Sequence, residues 1–473
     1  MSLRRIIQFI FIIEIVILLF LYNNSYTEFS ITKLKWLVGV ALCDVVMIFY
    51  FQDKMRRPLQ YRIISVLFIV GYLVVFYQRY LDLILGNISV DSVLFVSSRI
   101  IIKCCILSTI GLAAFGFGYL TLKNNGNTSL KAYRKTTDLK VFRFMFFLST
   151  VLYFIFNMQK IISGSYSQEN LEAEAGTMAL YSDILFIISF VILIAHVVKN
   201  NLHNKSVTFV QFNNQFGWVS LLCMITYCFA IVYWGDRGPL IICLSVYFGA
   251  YFLISKTNLK RSTLIIGIIV SSILLSLLGL LREENRSNRF QNIDVAFNEI
   301  YNNNSIIPFT KELSSSVSTL HYSVYYVPDK HPYTYGVFPI RYIVSTIPFG
   351  DRLLFSIWPL PKRYISSAFF VTWLAQGENY TYGNGTSCNA DLYLSFGLVG
   401  VVLGLWLWGL FIRYLENKGF SGELSINLII IYLFTCGYSI YVNRAYLLSY
   451  LNFCVFAIVL NFIIQRIVLN RTE

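Results

Sequence analysis

From Leu281 the chain reads LREENRSNRF (281–290), then SSSVSTLHYSVYYVPDKHPYTYGVFPIRYIVSTIPFGDR (314–352), and the stretch closes as QGENYTYGNGTSCNADLYLSFG (376–397). This block, Arg282 to Asp391, is polar, aromatic and mixed in charge, and long apolar segments flank it on both sides. Everywhere else, apolar runs alternate with short connectors. The chain has 473 residues, 56% hydrophobic and only 13% charged, with a mean hydropathy of +0.63. Soluble domains carry about a quarter charged residues, so this is a membrane composition.

A crossing needs about 20 mostly apolar residues. Twelve windows qualify: 6–22, 35–51, 63–78, 100–122, 141–158, 179–198, 216–234, 239–255, 263–281, 396–413, 424–441 and 447–465. The first follows Arg4 and Arg5 as a signal peptide would. No small-residue cleavage site comes after it, since the chain continues LYNNSYTEFS, so it reads as an uncleaved span. The 338–358 stretch is apolar too, but Arg341, Pro348, Asp351 and Arg352 interrupt it.

Lys and Arg set the orientation. With the N-terminus inside, the inside connectors and their flanks hold 21 cations against five acids: Asp53, Asp138, Glu416, Glu423 and Glu473. The long block has nine charges of each sign. The positive-inside rule then puts both termini in the cytoplasm and the block outside. The same distribution accounts for the net charge of +14 without nucleic acid, because no basic segment interleaves with aromatics on a polar domain.

Spans must satisfy their backbone internally. The expected fold is therefore an all-α polytopic membrane protein of about 12 transmembrane helices. It divides into a bundle of nine spans (1–281), a large external loop (282–395), and three last spans with a cytoplasmic tail (396–473). Within the loop, Phe309, Leu313, Val317, Leu320 and Val324 recur at helical spacing after Pro308, predicting an amphipathic helix with His321 beside its apolar face.

The residues able to do chemistry gather at the external ends of spans. Gly235-Asp236-Arg237-Gly238-Pro239 joins two spans in a tight turn. An Arg there runs against the positive-inside bias. It could hold an anionic head group through bidentate pairing with phosphate oxygens, or pair with Asp236 to stabilise the turn. Arg282, Arg286 and Arg289 share one face if the ninth helix continues outward, a possible pyrophosphate clamp unless Glu283 and Glu284 neutralise it. Arg444 lies between closely spaced apolar runs, where an ionisable group usually faces a cavity. Arg341 and Arg352 flank the amphipathic piece and could complete a cationic pocket.

For proton transfer the candidates are His321, His331, Asp236, Glu378 and the acidic loop with Glu169, Glu172 and Glu174. A general base needs a pKa near working pH and a place beside the attacking hydroxyl; His321 meets the first condition by chemistry. A histidine beside an apolar stripe is nevertheless more often packed than catalytic. Glu14 and Asp44 are acids inside spans that could line a pathway or pair with Lys or Arg. Nine cysteines show no CxxC or Cys/His metal spacing, and no DxD, HExxH, Walker or GxSxG pattern occurs. No metal and no cofactor is expected.

WGDRGPLIICLSVYF (234–248), YTYGVFPIRYIVSTIPFG (333–350) and YGNGTSCNADLYLSFGLVGVVLGLWLWGL (382–410) together resemble the Wzy-type O-antigen, or oligosaccharide repeat-unit, polymerases. The likeness is carried by a "tyG…iP" segment and a "G.G.S…..y..fG..G" approach to the next span; an RX10G pattern described for some members has no counterpart here. The resemblance implies a GT-C-like membrane glycosyltransferase that uses undecaprenyl-pyrophosphate-linked oligosaccharides at the outer face of the bacterial cytoplasmic membrane. It also implies the bilayer, a flippase and a chain-length regulator as partners. In that setting Arg237, Arg282, Arg286, Arg341 and Arg444 would bind pyrophosphate, and His321, Asp236 or Glu378 would move the proton. An O-antigen ligase or a lipid-linked oligosaccharide flippase would share much of this pattern. A transporter, however, has little use for so long an external block.

Overall fold

The apolar runs become helices in the computed structural model, which describes residues 3–24, 29–54, 62–93, 97–122, 137–163, 177–202, 207–234, 238–255, 305–307 and 310–469. The first helices are α1 (Leu3–Asn24), α2 (Ile31–Lys54), α3 (Ile63–Ile84), α4 (Arg99–Thr121), α5 (Lys140–Ser163) and α6 (Thr177–Asn201). They are followed by α7 (Phe209–Phe216), α8 (Trp218–Trp234) and α9 (Gly238–Ser255). The block supplies α10 (Lys311–Ser315), α11 (Val317–Tyr326), α12 (Val337–Val344), α13 (Gly350–Ile357) and α14 (Ser367–Gln376). The chain ends with α15 (Cys388–Ser421), α16 (Ile426–Tyr438) and α17 (Leu451–Leu469). No strand occurs among the described residues.

Seven of these helices (α1, α3, α4, α5, α6, α9 and α15) are long and apolar enough to cross a membrane, and an eighth if the bent pair α7–α8 is one span. This makes the chain a polytopic helical membrane protein. Each expected span coincides with a helix except 263–281, which lies outside the described residues. Some fall short of a full crossing. α16 has 13 residues, a rise of about 20 Å against a hydrocarbon core of about 30 Å. A single 3₁₀ turn, Tyr441–Arg444, follows it. α7 and α8 meet at 91° at Gly217, whose φ of +97° no side chain adopts readily. Thr208 and Gln211 form a capping box at the start of α7, so that helix has its own N-terminal stop.

The bundle is organised on α4 and α15, which run against each other over most of their lengths. Glycine allows the approach: a Cβ on Gly118 would overlap the Trp406 carbonyl, and one on Gly409 would overlap that of Phe115. Between helices in lipid, such small residues let backbones close and dispersion replace the missing hydrophobic drive. At one end Tyr119 Oη donates to Glu416 Oε2 at 2.5 Å, the Ser65 amide donates to Oε1 at 2.9 Å, and the Arg413 guanidinium lies 5.0 Å from the Tyr119 ring. Arg413 and Arg62 are only 1% and 2% exposed. Composition had placed both in water-facing connectors, but tertiary packing encloses them. Glu14 and Asp44 lie against each other.

At the opposite end the block packs directly on the spans. The amphipathic pattern after Pro308 becomes two helices broken at Ser316, and α11 buries Val317, Leu320 and Val324 against α3, α4, α14 and α15. The apolar 338–358 stretch forms α12 and α13, two short helices and no span. α15 begins at Cys388 and kinks at Phe396 and Gly397. Gly397 has a φ of +63°, and a Cβ there would come within 2.9 Å of the Tyr333 ring.

Candidate functional site

The first turns of α15, sequence TSCNADLYL, tie every nearby element together. Ser387 caps the helix through the Ala390 amide and receives a 3.0 Å hydrogen bond from Thr319 of α11. Asn389 donates to Tyr72 of α3 at 2.7 Å, and Tyr72 in turn donates to the Ser108 carbonyl of α4. Tyr393 donates to the Val327 carbonyl at 3.0 Å, while the Thr334 amide donates to Leu394 O at 2.8 Å. Each pair is buried and satisfied, which is the condition under which polar groups specify an arrangement without a desolvation penalty.

Asp391 sits in the middle of this hub, 4% exposed. Tyr342 of α12 donates to its Oδ1 at 3.0 Å. The same phenol oxygen lies 3.2 Å from Ser367 Oγ and accepts from the Ser367 amide. Tyr342 stacks on Tyr446, centroids 3.8 Å apart and planes 11° from parallel. Burial, with the Asp391 charge second, pushes the Tyr446 phenol up to about 12, and the same two causes hold Tyr342 well above the usual phenol range. Both phenols therefore stay protonated near neutral pH, and Tyr342 is the donor to Asp391. The Arg341 charge also acts on Tyr446. Arg341 pairs with Asp351 at 3.3 Å and lies 5.0 Å from the Phe355 ring. The result is a carboxyl, two phenols, a hydroxyl and a guanidinium on one rim of the bundle, supported by four different segments. Such a site can hold polar ligand groups and stabilise or relay charge.

Of the expected site residues, Arg341 belongs to this cluster. Arg444 stands on the same side, bonded to Glu312 of α10 at 3.2 Å and partly exposed. His321 is fully buried in α11; its Nε2 meets Tyr80 Oη at 2.9 Å, while Nδ1 has no hydrogen-bond partner among the described residues. Burial lowers its pKa to about 4, so the ring is neutral at physiological pH. Glu378 is largely exposed and committed to Arg363, at 2.8 Å, and to the Trp373 indole, at 2.9 Å. His331 lies beside Trp373, and Arg352 over Phe349. Asp236, Arg237, Arg282, Arg286, Arg289, Glu169, Glu172 and Glu174 lie outside the described residues.

Sequence reasoning passed over Asp391, Tyr342, Ser367 and Tyr446 as site residues. The available signal was an acid one turn past a Ser cap, at the head of an apolar run. That pattern reads as ordinary helix-dipole compensation until the partner phenol is seen.

Fold and site together define a multi-pass helical membrane protein with a buried polar hub where described parts of a long inter-span block meet the helices. The chain matches the family model described as O-antigen polysaccharide polymerase Wzy over residues 5–472, and it belongs to that family. No curated protein and no solved structure matches.

Proposed function

We propose that the chain joins undecaprenyl-pyrophosphate-linked oligosaccharide repeat units into a surface polysaccharide at the outer face of the bacterial cytoplasmic membrane. The observation that carries this is the family match over residues 5–472. In this reading the bundle is GT-C-like with twelve spans, both termini are cytoplasmic, and residues 282–395 form the external loop. An acceptor sugar hydroxyl attacks the anomeric carbon of the donor, the bond from that carbon to the pyrophosphate oxygen breaks, and the hydroxyl proton passes to a base. Guanidinium groups offset the charge developing on the pyrophosphate: Arg341 and Arg444 on the rim, with Arg237, Arg282 and Arg286. No metal is required for that task. Tyr446, whose phenol stays protonated, supports the sugar or phosphate oxygens, while Tyr342, whose single O–H goes to Asp391, holds that carboxyl in place. In this reading Asp391 joins Asp236 as a candidate proton acceptor, while His321 stays enclosed against Tyr80 and Glu378 stays in its surface pair with Arg363. A flippase would supply the lipid-linked units and a chain-length regulator would set the product size.

Deletion followed by gel analysis of the surface glycan tests this. Single repeats on the lipid core are the expected result; loss of all repeats would assign the chain to ligation or flipping instead.

A further inference from the structure

α12 and α13 carry an apolar surface that nothing described in the protein covers. Along α12 and the turn after it, Ile340, Ile343 and Ile347 are 48%, 54% and 57% exposed. Along α13, Phe349, Leu353 and Ile357 are 72%, 59% and 82% exposed. Ile340 and Ile343 share one face of α12, with Ile347 in the turn after it, and Leu353 and Ile357 share one face of α13, with Phe349 at its N-cap. The opposite face of α12 is apolar as well: Phe338 and Tyr342 are buried, against Phe370 and Tyr446. A short helix that is apolar on both sides cannot have one of them in water by default.

Its two ends show what lies on the open side. At the N-terminal end, Gly336 abuts the ring of Phe396. Phe396 heads the exposed stripe of α15 formed by Phe396, Val399, Leu403 and Leu407, which are 49%, 62%, 50% and 56% exposed on a membrane-length helix. At the C-terminal end, Ser345 and Asn452 hydrogen-bond at 3.1–3.2 Å, fixing α12 to the start of α17. α12 therefore bridges the rims of two apolar helices, and its isoleucines continue the lipid-facing surface of α15. The polar groups sort as they would at an interface: Arg341 and Asp351 pair across the hairpin, and Arg352 folds back over Phe349.

We propose that the α12–α13 hairpin is an interfacial membrane anchor. Ile340, Ile343, Ile347, Phe349, Leu353 and Ile357 insert among the acyl chains of the bilayer leaflet on the block side. The occupant of the surface is the bilayer itself. This part of the block is then embedded at head-group level and is not a lid in water, and the Tyr342–Asp391 hub lies just beneath that level. The inference requires only that the chain spans a membrane, so it stands or falls separately from the glycan chemistry.

The test uses the full-length protein in proteoliposomes. Single added cysteines at I357C and L353C are compared with D329C and K362C, exposed polar positions outside the hairpin, using a membrane-impermeant maleimide; unmodified protein gives the background of the native cysteines. The expected labelling of I357C and L353C is at least tenfold slower than of the two controls. Benzoylphenylalanine at position 357 then identifies the neighbour by photocrosslinking, with lipid-mass adducts expected. Labelling at I357C and L353C as fast as at the controls would overturn the proposal. So would crosslinks to a second copy, to another segment of this chain or to another protein.

Discussion

Lowering the pH from 7 to 5 should destabilise this protein through His321, a ring wholly enclosed in the fold. The ring is buried with its pKa lowered from 6.5 to about 4 by desolvation. Between those values the unfolded chain binds a proton that the folded chain refuses, so stability is fully present above pH 6.5 and is lost as pH falls toward 4. The full difference of 2.5 pH units corresponds to about 3 kcal/mol, and at pH 5 about 2 kcal/mol of it is gone. The assay is thermal unfolding in lipid nanodiscs at pH 7, 6 and 5 for the wild type and His321→Gln. The variant keeps a polar group for Tyr80 but cannot titrate. Wild-type midpoints should fall more steeply with acid than those of the variant, whose activity at pH 7 should survive in proportion to its folded fraction. Parallel curves would refute the buried, neutral imidazole. Loss of activity in well-folded variant would return His321 to the chemistry.

Four further outcomes follow from the rim and the packing. Tyr342→Phe removes one of the two side-chain donors to Asp391 and leaves Ser367 as the other, costing about 1 kcal/mol in unfolding measurements; Asp391→Asn keeps an acceptor and should cost less, yet shorten the polysaccharide on gels if the carboxylate takes the proton. Gly118→Val forces the backbones of α4 and α15 apart and should lower folded yield by size-exclusion analysis, overpacking costing about 1–3 kcal/mol, whereas Gly39→Ala, with open space around it, should be neutral. Arg444→Ala and Arg237→Ala, at normal expression, should convert long chains to single-repeat product; chains of normal length from both would remove their assignment to pyrophosphate. Glu378→Gln breaks only an exposed pair, worth at most about 1 kcal/mol, and normal polymer length is expected.

Much of this architecture was legible before any coordinates. Long apolar windows must become helices in lipid because the backbone has no other way to satisfy its hydrogen bonds there. The windows from 6–22 to 239–255 coincide with helices for that reason. The block between spans also stood out by its charge balance alone. Pro308 and the Leu313–Val317–Leu320–Val324 spacing located an amphipathic helix, and only its break at Ser316 was invisible.

The site was far less legible. His321 and Glu378 were chosen by residue type, which states what a side chain can do but not whether it is accessible. Packing enclosed the first against Tyr80 and tied the second to Arg363 on the surface. Asp391 went the other way. It reads as a helix-start acid and becomes the centre of a hub only because α12, 49 residues earlier in the chain, brings Tyr342 to it. Arg413 and Arg62, tallied as water-facing cations, are buried for a similar reason.

The sequence by itself determined that this is a helical membrane protein with one long polar block, since composition and hydropathy are local quantities read along the chain. Only the tertiary structure decided which groups in that block meet. Hydrogen bonds such as Tyr342–Asp391 and Asn389–Tyr72 join residues tens to hundreds of positions apart, and no local periodicity encodes which distant partner a polar side chain will find.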